Sequence, residues 1–100
     1  MAGAGVAKLY LGADEAATAW LRRAVENNRN QPIAHFWLAA ALAFLGRGDE
    51  ARAAAQAGLA LDPAFTVARF RHAAATDNPV YLRQRERVCD GMRKAGVPEG

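Results

Sequence analysis

Two histidines, one cysteine, an acidic pair and a set of arginines are the residues of this 100-residue chain whose types could do chemistry. Neither His35 nor His72 has a cysteine or carboxylate three or four residues away, the helical spacing that would supply a second metal ligand or a partner for a general base. His35 stands beside Phe36 and Trp37 and reads as a packed or groove-lining side chain. Cys89 is the only cysteine, so no internal disulfide and no thiolate metal cluster can form, and a small apolar packing role is expected for it. Asp49 and Glu50 are adjacent at the start of a helical stretch, where negative charge complements the helix dipole, so they read as terminus partners and not as a catalytic pair. The Gly46 to Gly48 stretch is an interhelical turn and no glycine-rich phosphate loop follows a strand. The expectation is a protein without cofactor, metal or catalytic activity.

The basic residues fall on two successive helices, with Arg69, Arg71 and His72 on the first and Arg83, Arg85, Arg87, Arg93 and Lys94 on the second. Such a cluster could attract phosphate backbones. Glu86 and Asp90 are interleaved with it and no recognition-helix signature accompanies it, so a solvated outer face is expected, with an acidic protein partner second and nucleic acid last. Thirteen basic residues against ten acidic ones, a net charge of +3, fit an ordinary helical surface. The longest apolar run, Phe36 to Leu45, is ten residues, well short of the roughly 20 that cross a bilayer. With no secretory pattern near Lys8, the cytoplasm is the expected location and no membrane partner is expected.

These residues must be positioned by helices. The hydrophobic fraction is 52%, much of it alanine, which suits helices that approach closely. Periodicity and punctuation predict six helical segments, at about residues 2–11, 14–28, 31–45, 49–61, 64–75 and 79–95. In the second, Ala17, Trp20, Leu21, Ala24 and Val25 draw one apolar stripe. The third, with Asn30 as its expected cap and Pro32 in its first turn, is apolar nearly all round and should be covered on several sides. Asp62-Pro63 is read as the stop of the fourth helix and the start of the fifth.

A 34-residue period links these segments: Leu11-Gly12 recurs as Leu45-Gly46, Ala17 as Ala51, Phe36 as Phe70 and Ala39 as Ala73. Such self-similarity marks a stacked helix-turn-helix array. The stretch from Pro32 to Pro63 resembles a tetratricopeptide repeat (TPR). Ala39, Ala51 and Gly58 stand at its small positions, Leu38 at the large apolar one, and Asp62-Pro63 at its boundary. The preceding repeat matches through Gly5, Gly12, Ala17 and Ala24 but has Arg29 where the proline would fall, and the following one loses register at Arg85. The resemblance implies an all-α, single-domain stack of antiparallel helix hairpins, about two and a half repeats. Repeat 1 covers about 1–29, repeat 2 about 30–63 and a partial repeat 3 about 64–76, closed by a capping helix at about 78–95. A narrower likeness, carried by Leu59 to Val67, Arg69-Phe70-Arg71, Asp77-Asn78-Pro79 and Gly91 to Gly96, is to the tail of bacterial adenylate-cyclase-like proteins, without their catalytic residues.

The TPR resemblance also implies a concave surface lined by the first helix of each repeat. By repeat phase it would carry Ile33, Phe36, Ala40, Ala43 and Phe44, with Val6, Leu9 and Tyr10 on one side and Phe70, Arg71 and Ala74 on the other. An apolar groove rimmed by arginine suits an amphipathic helix of a partner protein, a second copy in a homodimer, or an adjoining domain. The expected function is therefore a non-enzymatic protein–protein interaction scaffold, with a regulatory or oligomerisation tail of a cyclase-like signalling protein as the alternative. Phe36→Glu should then remove a ligand and spare the fold, unless the last helix folds over the groove and fills it.

Overall fold

The computed structural model describes residues 14–73 and 79–100. The predicted first helix with Val6, Leu9 and Tyr10, together with Ala74 and the His72 side chain, lies outside the described residues. The described residues are all-helical and contain no strand: α1 (Asp14–Asn27), α2 (Pro32–Phe44), α3 (Gly48–Leu61), α4 (Val67–Ala73) and α5 (Pro79–Lys94). Among them no helix is long and apolar enough to cross a membrane.

The central element is α2, which packs against α1, α3 and α5. Its burial follows from its sequence: Ala34, His35, Phe36 and the run Leu38 to Leu42 are all buried. On α1 the stripe Ala17, Leu21 and Ala24 is buried against it, whereas Trp20 sits at the stripe's edge with the Arg23 guanidinium 5.7 Å from its ring. On α3 the stripe is Ala51, Ala55 and Gly58, small residues that let the two backbones come close. Ile33 and Asp62 line one cavity, so the start of α2 lies beside the end of α3.

The helix ends explain the chain reversals. After α2, Gly46 N–H donates to the Ala43 carbonyl at 3.1 Å and Arg47 N–H to the Leu42 carbonyl at 3.0 Å, with Gly46 at φ 75°. This Schellman closure satisfies two carbonyls that the helix leaves unpaired. A Cβ at Gly46 would meet nothing within 4 Å, so replacement acts only on backbone conformation. Gly46→Ala should lower stability by about 1–2 kcal/mol, seen as a lower urea midpoint with unchanged slope; an unaltered midpoint would contradict the left-handed turn.

Two starts differ from expectation. The residue preceding α2 is Gln31, extended and without a side-chain cap bond, so Asn30 does not cap it; the fixed φ of Pro32 in the first turn takes that place. The fifth predicted helix begins later than expected, at Val67, because Phe65 N–H bonds back to the Asp62 carbonyl in a turn. Thr66 Oγ1 then accepts the Arg69 N–H at 3.0 Å, making Thr66 the cap.

Candidate functional site

Phe36, placed by repeat phase on a concave surface, is in the core. Its side chain is 0% exposed, its ring stacks on Phe65 with centroids 3.8 Å apart, and a Cβ at Gly58 would reach that ring at 2.8 Å. The cause is Phe65, a turn residue that inserts beside α2 and takes the ring of Phe36 as its partner. Ala40 is also 0% exposed, and Phe44 is half-buried. Both lie under α5, where a Cβ on Gly91 would stand 2.8 Å from Phe44 Cε2 and 2.9 Å from Ala40 Cβ. Glycine is what lets α5 seat there, with Val88, Cys89 and Met92 buried around it. The open groove expected over Ala40 and Phe44 is thus occupied by α5.

The Phe44 ring is covered by cations, the Arg87 guanidinium 3.9 Å and the Lys94 ammonium 5.2 Å from its centroid. Arg71 is engaged by α5. Its Nε and one terminal nitrogen donate to the two Glu86 carboxylate oxygens, each at 2.9 Å, and this fork raises the Arg71 pKa. Arg85 adds a bond from its terminal nitrogen to the Arg71 carbonyl at 2.8 Å, so the end of α4 is held to α5.

Ile33 and Phe70 do come together. With Pro32, Phe65, Asp62 and Arg69 they line a cavity of about 260 Å³ between the start of α2, the end of α3 and α4. Its walls are apolar, and its rim carries the Arg69–Asp62 ion pair at 3.2 Å. Leu61, 42% exposed and the large apolar side chain left most open among the described residues, is the neighbour of Asp62. Sequence reasoning missed Pro32, Phe65, Asp62 and Arg69 as lining residues. Only the aromatic Phe65 directly after a helix-ending Asp62-Pro63-Ala64 offered a local signal.

No protein-family model matches the chain, and no curated protein or solved structure matches it either.

Titratable groups away from the cavity lining are committed to the fold. His35 is buried and its Nε2–H donates to the Arg29 carbonyl at 3.1 Å. Burial pushes the Cys89 thiol up, with the Glu86 carboxylate adding to it, which disfavours the reactive thiolate. Arg93 holds Glu99 in a fork, and its hydrogen bonds keep the Glu99 carboxyl below the usual carboxylate range.

Proposed function

We propose that the chain is a non-enzymatic protein-interaction module built on TPR-like hairpins, and that it takes an apolar side chain of a partner's amphipathic helix into the cavity of Ile33, Phe65 and Phe70. The cavity carries this reading: an apolar recess with a polar rim is how a helix face is held by an anchor residue. Arg69 and Asp62 at the rim offer both signs of charge, so the partner chemistry that fits is an apolar anchor flanked by an acidic and a basic residue. The non-enzymatic part is supported by the structural uses already made of these groups: His35 bonds the Arg29 carbonyl, Cys89 is buried in the core, and Arg71 and Glu86 join α4 to α5.

Ile33→Glu tests the reading, since Ile33 is half-buried in the first turn of α2, where an acid suits the helix dipole. The variant should keep its helical signal while its affinity for a wild-type partner falls about 30-fold or more, as for a hot-spot residue. Retention of every partner by Ile33→Glu, or substrate turnover by the isolated chain, would overturn it.

One observation favours a second reading. Asp62, Phe65, Arg69 and Phe70 all belong to the stretches that resemble adenylate-cyclase-like tails. In that reading the anchor comes from an adjoining signalling domain of the same parent protein.

A further inference from the structure

Helix α4 has seven residues, too few to hold its shape or direction without help from its ends. Its far end is fixed by the Arg71–Glu86 fork and by Arg85. Its start is fixed by the segment that follows α5. Gly96, at φ 93°, donates its N–H to the Arg93 carbonyl while Val97 donates to the Met92 carbonyl, and this turn sends the chain back toward α4. Val97 is buried. The Pro98 carbonyl then accepts the Val67 N–H at 2.8 Å and the Glu99 carbonyl accepts the Ala68 N–H at 2.9 Å. With Thr66 accepting from Arg69, the first three amides of α4 all have partners, and two of the three come from this segment. Arg93 of α5 anchors it further through the Glu99 carboxylate, with one bond at 2.9 Å, while also holding Asp90.

We infer that Val97–Gly100 is a strap that latches the start of α4, and that it thereby sets the wall of the cavity formed by Arg69 and Phe70. The inference rests on the cavity reading above for its functional meaning, but the latch itself does not. When the strap is released, α4 pivots about the Arg71–Glu86 fork and Phe70 moves away from Ile33. Because a ligand in the cavity contacts the wall only when the strap is closed, binding there and latching favour each other to the same extent.

Two variants of the full chain test it: one ending after Gly96, and the milder Glu99→Gln, which keeps the strap but removes its ionic anchor. Amide hydrogen exchange at Val67 and Ala68 should accelerate about tenfold or more in the shortened chain and less in Glu99→Gln, while Ala51 and Ala55 in α3 stay protected. The Ile33 methyl signals should shift as the Phe70 ring moves, and indole, used as a neutral aromatic probe of the cavity, should bind more weakly. Unchanged exchange at Val67 and Ala68 overturns the strap, as does faster exchange with indole affinity and Ile33 shifts unaltered. A wild-type chain that binds no indole, yet whose exchange and Ile33 shifts respond to strap loss, removes the cavity reading and leaves the strap standing.

Discussion

Replacing Gly91 with leucine should raise the rate at which a thiol reagent modifies Cys89 by about tenfold or more. A side chain at position 91 would begin 2.8 Å from the Phe44 ring, 2.9 Å from Ala40 Cβ and 3.0 Å from Ala40 Cα. The ring can turn aside, but the α2 backbone cannot, so α5 must lift. Overpacking of this kind costs about 1–3 kcal/mol, and each 1.4 kcal/mol is tenfold in an opening equilibrium. Cys89 reports that opening cleanly. It is the single cysteine, it is 0% exposed, and burial raises its thiol pKa, so it reacts only when α5 is off the core. Gly48→Leu is the control, because nothing lies within 4 Å of a Cβ there. Equal labelling of both variants would show that α5 is not seated on Ala40.

Phe36→Ala should destabilise the protein by about 3–5 kcal/mol, measured by chemical denaturation. That is a large share of the roughly 5–15 kcal/mol that holds a domain folded. The ring is fully buried between Phe65 and Gly58, so its removal leaves a cavity that neither a stacked ring nor a glycine can fill. Phe36→Glu goes further, placing an unpaired carboxylate in that space, and should unfold the chain. The expectation that this variant spares the fold while losing a ligand is therefore reversed. A loss under about 1 kcal/mol for Phe36→Ala would place the ring outside the core.

Helices α1, α2, α3 and α5 were legible because each carries local marks: an apolar stripe, Pro32 or Pro79 in a first turn, Gly46 or Gly96 just past an end. The centrality of α2 could be read from its unbroken apolar run, and the inward turn of Ala51 and Gly58 from their small size at the expected crossing. What could not be read is where different stretches meet. The direction of Phe36 depends on Phe65, which sits in a turn and obeys no period. The cavity draws on residues from three stretches, Pro32-Ile33, Asp62 and Phe65 to Phe70, and no spacing rule links them. The seat of α5 does carry a local signal: Gly91 lies inside an otherwise helical pattern, where glycine costs about 1 kcal/mol against alanine and so points to a close packing contact.

The pair of cations over Phe44 has a consequence for solubility. Arg87 and Lys94 roof an aromatic ring that is only half-buried, so the polar side of α5 also shields apolar surface. Charge at those two positions is not interchangeable with charge elsewhere on the helix: glutamate there would keep the surface ionic but repel the ring face, leaving a sticky spot open to aggregation.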